Sequence, residues 1–264
     1  MYSFAYHKPT SVKDAAGAFA KGSEARYLAG GHTLLPSMRL RLSHPSDLVD
    51  LAGVAELKGI KVDGGTVTIG AMTPHGEVAS NAAVAKAIPA LAKLAGGIGD
   101  PQVRNRGTIG GSLANSDPAA DYPAAVLGLG ATIKTNKREI KADDYFKGLF
   151  ETALEDGELI TSVSFPVPEK AGYAKFANPA SRYAIVGVFV AKTKGGVRVA
   201  VTGAGPCAFR QAAMEKALSG GFTADAVANV KHAASGLNSD LHASAEYRAH
   251  LVTVMAKRAV AAAS

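Results

Sequence analysis

The chain has 264 residues, 47% of them hydrophobic and 19% charged, with a formal net charge of +7; this is the composition of a globular protein large enough for one big domain or two to three smaller ones. No apolar run approaches the roughly 18 residues of a membrane-crossing helix, MYSFAYHKPT at the start has no apolar signal core, and the single cysteine, Cys207, excludes an internal disulfide, a four-cysteine zinc site or an all-cysteine iron–sulfur cluster within the chain. The basic residues are dispersed (MRLRL at 38–42, RNR at 104–106, NKREIK at 136–141), tryptophan is absent and aromatics are 6%, so there is no stacking basic stripe for nucleic acid, and an anionic cofactor or an oppositely charged partner suits the charge better.

In chain order, Ser11-Val12-Lys13-Asp14 reads as a capping box opening an alanine-rich helix that stops near Gly22. Arg26–Ala29 reads as a strand, Thr33 as the cap of a helix over LLPSMRLRL with Pro36 tolerated in its first turn, and Asp47–Leu51 as a strand. KGIKVDGGTVTIGA (58–71) alternates apolar and polar residues on both sides of Asp63-Gly64-Gly65, a hairpin signal. Thr73-Pro74 starts a short helix, and Ala83–Ala95 forms another that ends at Gly96-Gly97. Residues 97–123 read as a long irregular stretch ordered against something, because Ile, Val and Leu recur in it. Ala124–Gly130 then reads as helix. Ala131–Thr135, Glu158–Phe165, Tyr173–Ala177, Tyr183–Thr193 and Val197–Thr202 read as strands, and Phe209–Leu218, Ala224–Ala234 and Ser244–Ala263 as helices. Asp143-Asp144 reads as a loop face and Cys207 as a small buried side chain. This order predicts an α+β protein rather than a regular doubly wound sheet.

Two glycine pairs stand out. YLAGGHTLLP (27–36) runs from a strand through Gly30-Gly31 into a helix, and RGTIGGS (106–112) carries Gly110-Gly111. Neither is a dinucleotide GxGxxG or a GxxxxGK[ST] loop. Each places a hydroxyl residue beside small residues, so backbone N–H groups from both, with the Thr33, Thr108 and Ser112 hydroxyls, could converge on one pyrophosphate without a lysine. Asp117 and Asp121 follow, where a carboxylate could accept from a ribose or ribityl hydroxyl. Gly-Gly alone is usually a turn, and Gly64-Gly65, Gly195-Gly196 and Gly220-Gly221 are read so. The seven histidines show no HxxH or HExxH spacing, so His32 is assigned a structural or phosphate-side role rather than a metal.

AGGHTLLP at 29–36 and DPQVRNRGTIGGSLANSDPAADYPA at 100–124 resemble the FAD-binding medium subunit of the molybdenum hydroxylases, the carbon monoxide dehydrogenase, aldehyde oxidoreductase and xanthine dehydrogenase family. KREIKADDYFKG, GELITSVSFPVP and the final helices extend the resemblance over essentially the whole chain. It implies a two-subdomain FAD-binding fold of the vanillyl-alcohol oxidase/MurB type plus a C-terminal small antiparallel sheet with helices, divided 1–55, 56–168 and 169–264. It implies noncovalent FAD, with Ala29, Gly30, Gly31, His32 and Thr33 in one loop and Thr108, Ile109, Gly110, Gly111 and Ser112 in the other at the pyrophosphate. Asp121 would contact the FAD chain, the backbone at Leu159-Ile160 would meet the adenine side, and Lys175 and Tyr183 would lie near the flavin ring. The implied function is an electron-transfer subunit, fed by a separate [2Fe–2S] subunit from a large molybdenum-cofactor subunit, in a dimer of heterotrimers that passes electrons to an external acceptor. No catalytic residue and no metal site is expected in this chain, and its expected location is the cytoplasm or the inner face of the membrane. The rival readings are a self-contained MurB-like flavoenzyme and a nucleotide-binding module with no redox role.

Overall fold

The computed structural model describes residues 1–264. The first fifty residues form a small parallel sheet. Its strands are β1 (Ala5–His7), β2 (Ala25–Leu28) and β3 (Asp47–Asp50), in the order β1-β3-β2. Helix α1 (Val12–Phe19) starts where expected, because the Ser11 hydroxyl accepts from the Asp14 N–H. Helix α2 (Leu34–Arg39) departs from expectation at its start. Thr33 has helical backbone angles and makes no capping bond with its side chain. Ala15, Val49, Leu51, Val54 and Leu57 build a small core here, which Met72 and Leu159 of later segments complete.

The middle of the chain supplies β4 (Ile60–Asp63), β5 (Thr66–Gly70), β6 (Thr132–Thr135), β7 (Glu139–Lys141), a separate hairpin of β8 (Phe146–Gly148) and β9 (Glu151–Thr152), and β10 (Ile160–Pro166). The large sheet is antiparallel throughout, in the order β4-β5-β10-β6-β7. Gly64 and Gly65 close the β4–β5 hairpin with φ of +54° and +79°, as a two-residue turn of that twist demands.

Its helices are α3 (His75–Ser80), α4 (Ala82–Ala87), α5 (Pro89–Gly96), α6 (Pro101–Arg106), α7 (Ile109–Asn115), α8 (Tyr122–Leu129) and the single turn α9 (Ala142–Tyr145). The helix expected over 83–95 is two helices, because Pro89 forces Ile88 out of the helical region to φ −141°, ψ 76°. The stretch 97–123 is not irregular. Asp100 caps α6 through the Val103 N–H, Thr108 caps α7 through the Gly111 N–H, and Ser116, at φ +46°, ends α7. Each helix is too short to show a periodic pattern, so only caps and prolines marked them. Asp143 lies on α9 rather than a loop, ion-paired to Arg198 at 2.6 Å. All eight residues of α8 are buried, at the centre of the largest core, which also holds Val67, Ile69, Leu91, Leu94, Leu113, Val163, Phe165 and Phe189.

The last third is an antiparallel sheet of β11 (Lys170–Ala177), β12 (Ala184–Thr193), β13 (Gly196–Thr202) and β14 (Phe209–Arg210), with helices α10 (Ala212–Gly220) and α11 (Ala245–Ala261). One face of β12 joins the largest core through Phe189. The other face packs on α11 around Val188, Val190, Val252 and Met255. Phe209–Arg210 is strand rather than helix, since it pairs with Val201 and Ala200. The expected helix over 224–234 is a single tight turn, Asp225–Val227. Cys207 is half-buried. No helix is long and apolar enough to cross a membrane.

Candidate functional site

The first glycine loop leaves the C-terminal end of β2 and the second opens α7. They touch. A Cβ on Gly30 would overlap the Arg106 carbonyl oxygen, and one on Gly111 would stand 3.3 Å from the Ala29 Cβ. These glycines therefore permit a close approach of two backbones. Between and beside the loops runs a cavity of about 810 Å³, at the upper end of ligand-site volumes, which run from roughly 300 to 1,000 Å³.

Of the expected residues, Ala29, Gly30, Gly31, His32, Thr33, Thr108, Gly110, Gly111, Ser112, Asp121, Leu159 and Tyr183 line this cavity. Ile109 and Lys175 do not. Ile109 is fully buried in the core. Lys175 reaches past the cavity wall to donate to the carbonyl oxygens of Gly97 at 2.9 Å and Arg182 at 2.8 Å and to pair with Asp121 at 3.0 Å.

The two loops differ in what their backbones leave free. The N–H groups of Gly30, Gly31, His32 and Thr33 have no partner within the protein. In the second loop, the N–H groups of Ile109 to Ser112 are spent. Ile109 donates to Thr73 O, Gly110 to Ala71 O at 2.9 Å, Gly111 to the Thr108 hydroxyl, and Ser112 to Thr108 O. Gly31, at φ +78°, turns the first loop so that four successive donors are unpaired, an anion-binding arrangement. The second loop is a strut, fixed to the end of β5.

Asp121 is 4% exposed and sits at the α8 start, where a helix N-terminus favours negative charge. Burial pushes its carboxyl up, while the Lys175 ammonium and the Tyr173 hydroxyl (2.5 Å) pull against that. One carboxylate is thus held by two donors, the buried Tyr173 hydroxyl and the part-buried Lys175 ammonium.

Glu158 also lines the cavity. Burial alone would raise its pKa, but Arg138 grips it with two bonds at 3.0 Å and the Glu155 N–H and Thr135 hydroxyl add two more, taking it to about 2. Tyr27, also on the cavity wall, stacks on Phe19 at 4.6 Å and donates to Gly157 O.

His75 was not singled out from the sequence, yet it lines the cavity. It is 5% exposed and its Nδ1 has no partner. Burial, then the nearby His32 and Arg104, hold its pKa down at about 4. The signal was the Thr73-Pro74-His75 helix start, where Pro74 bridges Thr108 and the His75 N–H donates to Gly107 O. No group of three or more His, Cys, Asp or Glu side chains is placed to hold a metal.

A cavity of this volume, walled by a free-donor loop, a buried carboxylate and the buried His75, on an α+β frame of this topology, suits a nucleotide cofactor. Residues 2–168 match the family described as the FAD binding domain in molybdopterin dehydrogenase, and residues 171–263 match the CO dehydrogenase flavoprotein C-terminal domain. The chain belongs to this family, the FAD-binding medium subunits of the molybdenum hydroxylases. It is 37% identical to the carbon monoxide dehydrogenase medium chain of Hydrogenophaga pseudoflava, over 98% of this chain and 96% of that one. It is 35% identical to the nicotine 6-hydroxylase medium subunit of Paenarthrobacter nicotinovorans, over 97% and 95%. Reconstituted CO dehydrogenase from Oligotropha carboxidovorans superposes with a TM-score of 0.91 at 34% identity, covering 99% of this chain and 97% of that one.

Proposed function

We propose that this chain is the FAD-carrying electron-transfer subunit of a three-component molybdenum hydroxylase. The observation that carries the reading is the set of four unpaired N–H groups at Gly30–Thr33, facing a cavity of dinucleotide size in a family of FAD-binding chains. The residues fit the group. The first loop would hold the pyrophosphate through its backbone, with the Thr33 and Ser112 hydroxyls beside it. Ile109 and Thr108 would fix the second loop behind it, and Gly110 and Gly111 would let it come close. Asp121 would accept from the FAD chain, Leu159 would bound the adenine side, Tyr183 would lie by the ring, and Lys175 would position Asp121. His75, whose pKa burial holds at about 4, lines the site without adding charge. Bound FAD supplies two-electron storage; the protein supplies orientation and electrostatics.

The division 1–55, 56–168 and 169–264 is proposed as two FAD-binding parts and a C-terminal part. The relatives are named medium chains or medium subunits, which supports a larger and a smaller partner. With one cysteine, the chain cannot ligate a [2Fe–2S] cluster alone. The small partner would carry the cluster, the large one the molybdenum cofactor, and two such trimers would pair. The external acceptor would take electrons from this chain, in the cytoplasm. Co-purification tests the reading: the chain should emerge yellow, with one FAD, beside one larger and one smaller chain. A colourless chain, or a lone chain turning over a substrate at full rate, contradicts it.

A further inference from the structure

Helix α2 ends in a turn that presents leucines to solvent. The Leu42 N–H donates to Ser37 O at 2.9 Å and the Arg41 N–H to Met38 O at 3.1 Å, with Arg41 left-handed at φ +62°. This is a Schellman stop, whose left-handed position is usually glycine and whose next residue, when apolar, usually packs back on the helix. Neither holds here. Arg41 takes the glycine position, and Leu42 is 80% exposed, beside Leu40 at 71%. The turn is ordered all the same. The Arg41 guanidinium lies 5.5 Å from the centre of the Tyr2 ring, and that ring meets the His44 ring at 4.2 Å.

The patch is also basic. Residues 1–13 and 25–46 contain no carboxylate, while Arg39 and Arg41 flank Leu40 in sequence and Arg41 precedes Leu42. Exposed leucines set between arginines mark a protein interface. They suit an apolar hollow rimmed by carboxylates, whereas a nucleic acid would pair with the arginines and leave the leucines in water. The turn also adjoins the proposed FAD site: Arg26, Ser37 and Ser43 line that cavity.

We propose that the turn at 39–44, with Tyr2, docks the [2Fe–2S] chain of the assembly, through an apolar hollow on that chain rimmed by carboxylates. This rests on the flavin reading above. Charge complementarity selects an acidic partner, in keeping with the net charge of +7 on this chain. Position selects the iron–sulfur chain among the partners. Electron transfer weakens steeply with distance, so the chain that carries the cluster must seat against a wall of the FAD cavity, and Ser37 and Ser43 make this turn part of such a wall. Leu40 and Leu42 would fill the hollow, and Arg39 and Arg41 would pair with its rim. The stack of Arg41, Tyr2 and His44 holds the turn in place beforehand, which lowers the ordering cost of docking.

The test uses the whole assembly, purified through a tag on this chain, with the recovery of each partner measured per tagged chain. Leu42→Asp, on an exposed side chain, should lower recovery of the iron–sulfur chain at least tenfold at unchanged FAD content. Should that variant not fold, Arg41→Gly gives the left-handed position its usual residue and removes one cation. It should lower recovery about threefold at low salt, and the difference from wild type should shrink as salt rises. Equal recovery from wild type and both variants would overturn the proposal. So would loss of the larger chain while the iron–sulfur chain stays, or a Leu42→Asp effect confined to self-association of this chain. A wild-type assembly without FAD, whose iron–sulfur chain is nonetheless lost in Leu42→Asp, would overturn the flavin reading and support the docking turn.

Discussion

The two loops share a Gly-Gly pair beside a hydroxyl residue and have opposite jobs. In the first, Gly31 in the left-handed region leaves four N–H groups unpaired. In the second, the N–H groups of Ile109 to Ser112 are consumed by Ala71, Thr73 and Thr108, Gly110 lets α7 lie against the end of β5, and Gly111 leaves room for Ala29 of the first loop. A motif shared in sequence therefore does not imply a shared contact. What decides is whether neighbouring backbone has already claimed the donors.

Substitutions can break this contrast. Gly30→Val drives a side chain into the Arg106 carbonyl and pushes the first loop off the second. The expected outcome is a folded chain with FAD content reduced at least tenfold, read from its absorbance spectrum. Lys175→Met leaves the Asp121 carboxylate buried without its cation, which costs about 3–5 kcal/mol, read from urea unfolding. The tenth of Lys175 that is exposed puts the expectation at the lower end. Gly110→Val meets the Ala71 Cβ and carbonyl oxygen, the former at 2.6 Å, and should cost about 3 kcal/mol of stability, with colour lost only as the fold is lost. If Gly110→Val instead kept its melting temperature and lost FAD, the two loops would be equivalent after all.

The His75 contribution is set by pH. Its folded pKa of about 4 lies below the unfolded value near 6.5, so the native state disfavours protonation. The associated stability is complete above about pH 6.5 and falls, by up to about 3 kcal/mol, as pH drops toward 4. His75→Gln should flatten that part of the stability profile. Thr108→Val removes one helix cap and should cost about 1 kcal/mol, by thermal melting.

Much of this was legible in sequence where one local rule governed. Ser11 capped α1, Asp63-Gly64-Gly65 made a hairpin, and the valine-rich apolar runs at 183–193 and 197–202 made β12 and β13. Residues 97–123 were not, because helices of six and seven residues hold one cap each, and α7 alone buries apolar side chains, Ile109 and Leu113, against segments far away in sequence. The two glycine loops and Asp121 could be named from their motifs, but most of the residues that line the cavity could not. The difference between the loops could not, since it depends on Ala71 and Thr73 arriving from another segment, and neither could the hidden Nδ1 of His75.

Amide hydrogen exchange of the flavin-free and FAD-loaded chain tests the central claim most directly. The amides of Gly30, Gly31, His32 and Thr33 should exchange quickly without FAD and become strongly protected with it, while those of Ile109 to Ser112 are protected in both. Protection that appears in the second loop and not in the first would contradict the account.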